Sequence, residues 1–128
     1  MADESTVRKV LVVDDDEAVA RFVCSVVEKK GLEAVAAHTA ADATAALDGG
    51  TFAIAIVDIN LPDSSGLDLA AQIKSRDEAM PVIIITGFPG GENVRKSLGA
   101  SVDAYLVKPV NPSILLTLLA QLVGTEEE

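Results

Sequence analysis

The chain is 128 residues long, with 49% apolar but only 3% aromatic residues, which points to one domain whose core is built from Val, Ile, Leu and Ala. Its formal net charge is −10 and its Lys and Arg residues form no cluster, which argues against direct nucleic-acid binding and makes a divalent cation a natural guest wherever carboxylates converge. Cys24 is the only cysteine, so there is no disulfide framework or thiolate metal site, and with no leader-like or membrane-length apolar run the default expectation is a cytoplasmic chain.

Residues 7–13 read as a first strand, stopped by Asp14-Asp15-Asp16. Val19, Phe22, Val23, Val26 and Val27 then recur at helical spacing and predict a helix with one stripe on the core, where Cys24 would be a buried, inert thiol. Lys29 and Lys30 suit the negative end of that helix, and Gly31 suits the exit from it. Residues 32–37 form a weaker second strand. His38 opens the following loop and is expected to be a surface residue. Thr39 is placed to cap an Ala-rich helix that runs to about Asp48 and stops at Gly49-Gly50.

Residues 52–57 are an apolar run that passes straight into Asp58, the pattern of a strand buried on both faces. Pro62 stands too close to Asp58 for a helix to begin there, so Ser64 or Ser65 is the better cap for the helix marked by Leu67, Leu69, Ala70 and Ile73. A fourth strand covers 82–85 and is followed by the breaker-rich Thr86-Gly-Phe-Pro-Gly-Gly91 and a short predicted helix at about 92–98. A fifth strand at 104–107 ends at Lys108-Pro109. Asn111-Pro112 is a cap followed by proline at the first helical position, and Ile114, Leu115, Leu118, Leu119 and Leu122 form the stripe of a last helix. The ordered core is expected at about 7–123, within a single domain spanning 1–128 with short polar tails.

Five strands alternating with five helices specify a doubly wound α/β fold with a mostly parallel sheet. Four of the strands end in polar residues that local structure does not demand: Asp14 and Asp15, then Asp58, Thr86 and Lys108. In a parallel sheet these ends share one edge. The dinucleotide-type strand order separates the aspartates, whereas the flavodoxin-like order 2-1-3-4-5 brings all of them to the switch point between strands 1 and 3. Gathered carboxylates repel one another unless a cation sits among them, and an all-oxygen donor set suits Mg²⁺ better than Zn²⁺. A carboxylate, a metal, a lysine and a hydroxyl together match the needs of a transferring phosphoryl group, with Asp58 the best nucleophile.

Val12-Val-Asp-Asp-Asp16, Val57-Asp-Ile-Asn-Leu-Pro62 with Gly66, Ile85-Thr-Gly87 and Tyr105-Leu-Val-Lys-Pro109 stand in an order and spacing that resembles the receiver domain of two-component response regulators. The resemblance covers essentially the whole chain, from Val10 to Leu122. It implies that Asp58 is the phosphoacceptor and that Asp15 and Asp58 bind Mg²⁺ or Mn²⁺ through their carboxylates. Asn60 would bind the metal through its backbone carbonyl, and Asp14 mostly through a metal-bound water. Thr86 and Lys108 would hold the phosphoryl oxygens, Tyr105 would swing inward as the switch aromatic, and Lys108–Pro109 would be cis. Val110 is a small departure, since the family more often carries an aromatic or larger aliphatic residue there.

The function so implied is a phosphorylation-dependent switch that takes its phosphoryl group from a sensor histidine kinase or a histidine phosphotransfer protein. It would answer by shifting the surface made by the predicted helix at 92–98, the fifth strand and the last helix. An effector protein or output domain would read that surface, and a phosphorylation-dependent dimer is a further expected state. The sequence as it stands carries no output domain, which fits a stand-alone regulator or a segment of a larger one. Rival readings are a receiver that binds partners without phosphorylation, an aspartate-nucleophile phosphohydrolase and a flavin or nucleotide module. The phosphohydrolase lacks its second acid, because that position is Asn60, and the nucleotide module lacks a Gly-rich phosphate loop after the first strand.

Overall fold

The structure, a computed structural model, describes residues 8–87 and 102–123. Along the chain run β1 (Lys9–Val13), α1 (Glu17–Lys29), β2 (Glu33–Ala37), α2 (Ala40–Asp48), β3 (Ile54–Asp58), α3 (Gly66–Arg76), β4 (Val82–Thr86), β5 (Ala104–Val107) and α4 (Pro112–Val123). All four strand pairings are parallel, and the sheet order is β2-β1-β3-β4-β5. The flavodoxin-like order argued from the polar strand ends is therefore the observed one. Among the described residues there are four helices rather than five, and the short helix expected at 92–98 lies outside them.

The sheet divides two cores by the alternation of its side chains. Val10, Val12, Ile54, Ile56, Ile83 and Ile85 pack on one face under α1 and α4. Leu11, Val13, Ala55, Val57, Val82 and Ile84 pack on the other under α2 and α3. β3 and β4 are buried at every position, which is why they read as unbroken apolar runs in the sequence. β2 is an edge strand buried fully only at Ala37, which accounts for its weaker signal.

The helix caps follow the local chemistry. Asp16 accepts from Ala18 and Val19, Thr39 from Asp42, Ser65 from Leu67, and Asn111 from Ser113 and Ile114. Of the two candidate serines it is Ser65 that caps α3. Gly31 leaves α1 with φ +88, a conformation that costs glycine little.

Two residues assigned to core stripes are not in the core: Phe22 is 42% exposed and Ile114 is 51% exposed. Helical spacing marks a stripe wider than the face the sheet covers, so the flank of each stripe is left in solvent. Cys24 is only partly covered, and burial, seconded by the charge of Glu28, pushes its thiol up. Among the described residues no helix is long and apolar enough to cross a membrane.

Candidate functional site

The carboxyl edge of the sheet carries the site. β1 delivers Asp14 and Asp15 just beyond Val13, β3 ends on Asp58, β4 ends on Thr86, and β5 leads into Lys108. Register fixes their spacing, with Val13 beside Val57, Asp58 beside Ile85, and Thr86 beside Val107. Asp14 is 1% exposed, Asp58 4% and Thr86 1%, and these are the buried polar residues of the described chain.

Asp14, Asp15 and Asp58 each present a carboxylate oxygen, the three lying within 4.8 Å of one another. Lys108 sits against two of them, with Nζ 3.1 Å from Asp58 Oδ2 and 3.5 Å from Asp14 Oδ2. The backbone N–H groups of Asp16 and Asn60 donate to Oδ1 of Asp14 and Asp58 at 2.9 and 3.1 Å, which aims both carboxylates. Asp14 Oδ2 is buried and accepts no hydrogen bond in the structure, its nearest cation being Lys108 at ion-pair distance. Burial pushes the Asp14 carboxyl up to about 6, opposed by the Asp16 N–H, aided by the charge of Asp58 and opposed again by Lys108. Burial pulls Lys108 down, but its hydrogen bond to Asp58 and the charges of Asp14 and Asp58 outweigh it and leave the ammonium above its ordinary range. An orphaned buried oxygen among three convergent carboxylates suits a hard cation with oxygen ligands, so the residues fit a divalent metal.

The structure thus brings together Asp14, Asp15, Asp58 and Lys108, and places Thr86 at the end of the neighbouring strand, where its carbonyl accepts from the Lys108 N–H at 2.8 Å. Asn60 follows Asp58 in the β3–α3 loop, where it pairs with Ser65 across a single bridge. That loop is closed by Gly66, whose N–H donates to Ile59 O at 2.7 Å. A Cβ on Gly66 would stand 2.1 Å from the Asp58 carbonyl oxygen, so only glycine allows helix α3 to start against the acceptor strand. The Lys108–Pro109 peptide is cis, as expected. Tyr105 is half-buried on β5 against the second core.

Three features escaped the sequence. His38 is not a plain surface residue: it is half-buried, with Nδ1 3.0 Å from the Asp14 backbone oxygen. Asp63 accepts from the N–H groups of Ala40 and Ala41 at 2.9 and 3.1 Å, which caps α2 from another loop. Beside Lys108, an apolar cleft of about 570 Å³ is lined by Ala18, Val19, Phe22, Pro109 and Val110. A larger cavity of about 750 Å³, lined by Arg8, Lys9, Gly50 and Phe52, lies at the amino-terminal ends of the strands and takes no part in the site. All three features depend on contacts between segments distant in the chain.

Comparison with known proteins agrees with this geometry. The chemotaxis protein CheY1 of Helicobacter pylori is 34% identical over 123 residues, covering 93% of this chain and 99% of that protein. The response regulator FleR of Pseudomonas aeruginosa is 32% identical over 125 residues, which is 94% of this chain but 26% of FleR. Among solved structures, a CheY-like receiver domain from Methanospirillum hungatei superposes with a TM-score of 0.83 at 35% identity, covering 91% of this chain and 93% of that one. Chemotaxis response regulator CheY4 of Vibrio cholerae superposes equally well, with a TM-score of 0.83 at 27% identity over 91% of this chain. Residues 10–120 match the response regulator receiver domain family, and the chain belongs to that family.

Proposed function

We propose that this receiver domain accepts a phosphoryl group on Asp58 from the phosphohistidine of a sensor histidine kinase or a histidine phosphotransfer protein. A carboxylate oxygen of Asp58 attacks phosphorus, the P–N bond of the donor breaks, and its electron pair returns to the imidazole nitrogen. Lys108, now on Asp58 Oδ2, is placed to follow the charge onto the phosphoryl group, and Thr86 offers its hydroxyl to another phosphoryl oxygen. Asp15, Asp58 and the backbone carbonyl of Asn60 would hold Mg²⁺ or Mn²⁺, with Asp14 acting through a water. The metal, when bound, offsets the negative charge that otherwise keeps an anionic donor away.

The aspartyl phosphate adds about −1.5 to −2 charges at the edge of the sheet. Drawing Thr86 and Lys108 toward it favours a second packing of β5 and α4, with Tyr105 turning inward, and an effector protein or output domain reads that surface. Receiver domains of this kind are signalling proteins rather than turnover enzymes. The observation that carries the proposal is the contact of Lys108 with both buried carboxylates, since it joins the end of β5 to Asp58, 50 residues away in the chain, and to Asp14, farther away still. The test is intact-mass measurement after incubation with acetyl phosphate and MgCl₂. The wild type should gain one phosphoryl group and Asp58→Asn none, whereas equal gains would remove Asp58 from the role.

A further inference from the structure

The two loops that carry the proposed metal ligands are each tied to a third segment, the β2–α2 connection. On one side the Asp14 N–H donates to Ala37 O at 3.0 Å, and His38 Nδ1 lies 3.0 Å from Asp14 O. A carbonyl only accepts, so this ring nitrogen carries its hydrogen. On the other side the N–H groups of Ala40 and Ala41 donate to Oδ1 and Oδ2 of Asp63 at 2.9 and 3.1 Å. These are first-turn donors of α2 and have no partner within the helix. The side chain of Thr39, the helix's own cap, takes only the Asp42 N–H. The Asp63 carboxylate therefore completes the cap from outside, and the Ala40 N–H holds its carboxyl below the ordinary range.

Within the β3–α3 loop Gly66 and Ile59 close the root, and the Leu61 N–H donates to Ser64 O at 3.2 Å. Asp63 is at the tip. Asn60 lies between root and tip, held on the root side by its bridge to Ser65 and by its N–H on Asp58 Oδ1, so the Asp63 tip is the other end from which its carbonyl is positioned. Five consecutive residues thus bind the Asp14 loop with one end and the Asn60 loop with the other.

We propose that residues 37–41 are a strap that sets the separation of the Asp14–Asp15 and Asn60 loops, with His38 and Asp63 as positioning residues for divalent-cation binding. The inference rests on the metal reading above. Mg²⁺ demands near-ideal octahedral spacing, and groups that orient metal ligands commonly change affinity when removed. Neither residue touches the cation.

The experiment is calorimetric titration of MgCl₂ into the wild type, Asp63→Ala, Asp63→Asn, His38→Gln and the Asp63→Ala/His38→Gln pair, well below the melting temperature of each. Asp68→Asn, an exposed site in the first turn of α3, is the control for loss of one negative charge. Asp63→Ala should weaken binding about 3–10-fold, at or below the low end of what outer-shell groups contribute, since Asp63 acts through a loop and not on a ligand directly. Asp63→Asn should fall between Asp63→Ala and wild type, because its single carbonyl oxygen still accepts one N–H. His38→Gln should weaken binding by a similar factor, and the double variant should fall short of the product of the single effects, since either loss frees the same strap. If Asp63→Ala fails to fold, Asp63→Asn and His38→Gln carry the comparison. Variants that bind as the wild type does, or an Asp63 effect no larger than that of Asp68→Asn, would overturn the strap. Acetyl phosphate labelling of the wild type separates the two proposals. A wild type that binds Mg²⁺ and is labelled, beside variants of equal affinity, removes the strap alone, whereas a wild type that does neither removes both.

Discussion

Replacing Asp14 by Asn should stabilise the metal-free protein at neutral pH. The Asp14 carboxyl is 1% exposed, and burial, against the opposing Asp16 N–H, raises it from its ordinary 3.8 to about 6. The folded protein therefore binds this proton more tightly than the unfolded chain does. Stability on this account is highest below about pH 3.8, declines as pH rises toward 6, and is level beyond it. The decline amounts to about 3 kcal/mol at pH 7.5. Asparagine has nearly the same shape and no charge to bury, although its NH₂ faces Lys108 or Asp58 less well than a carboxylate oxygen meets a metal. Setting about 1 kcal/mol against that imperfect pairing leaves a net gain of roughly 2 kcal/mol at pH 7.5 and close to none at pH 4.5. Urea unfolding followed by far-ultraviolet circular dichroism, with EDTA present and at both pH values, measures the difference directly. The melting temperature at pH 7.5 should rise by roughly 5–10 °C. Added MgCl₂ should reverse the order, stabilising the wild type more than the variant. A variant less stable than wild type at pH 7.5 without metal, or a gain that does not change with pH, would refute the reasoning.

Lys108→Met removes the cation that sits 3.1 Å from Asp58 and 3.5 Å from Asp14, so labelling by acetyl phosphate should slow at least tenfold while the fold is kept, as read by intact mass and circular dichroism. Gly66→Ala places a methyl carbon 2.1 Å from the Asp58 backbone oxygen, and the end of β3 must shift; a loss of about 2–4 kcal/mol in urea unfolding is expected, together with impaired labelling. Ile56→Ala opens a cavity in the centre of the sheet, where Ile56 is fully buried, and should cost about 2–5 kcal/mol with the site chemistry of the folded fraction intact. Phe22→Ala, by contrast, removes a side chain that is 42% exposed and should change stability by less than about 1.5 kcal/mol in the same assay.

The sequence by itself determined the described elements and the side of the sheet on which the chemistry sits. Short apolar runs such as Ile54–Val57, bounded by turn residues, read as a doubly covered strand, and breakers and caps such as Gly31, Thr39 and Asn111 act through bonds to their near neighbours, so both are legible residue by residue. The polar strand ends implied the strand order because only one common order lets Asp14, Asp58, Thr86 and Lys108 meet. The tertiary structure alone decided which edge of each helical stripe is covered, leaving Phe22 and Ile114 outside, and how the loops above the sheet are joined. His38 reaches the Asp14 carbonyl across 24 positions and Asp63 reaches α2 across 22 and 23, through single hydrogen bonds that leave no periodic trace in the chain. Periodicity records what a face is buried against on average, whereas a bond between two loops depends on where separate segments end in space, which is settled only when the whole sheet has closed.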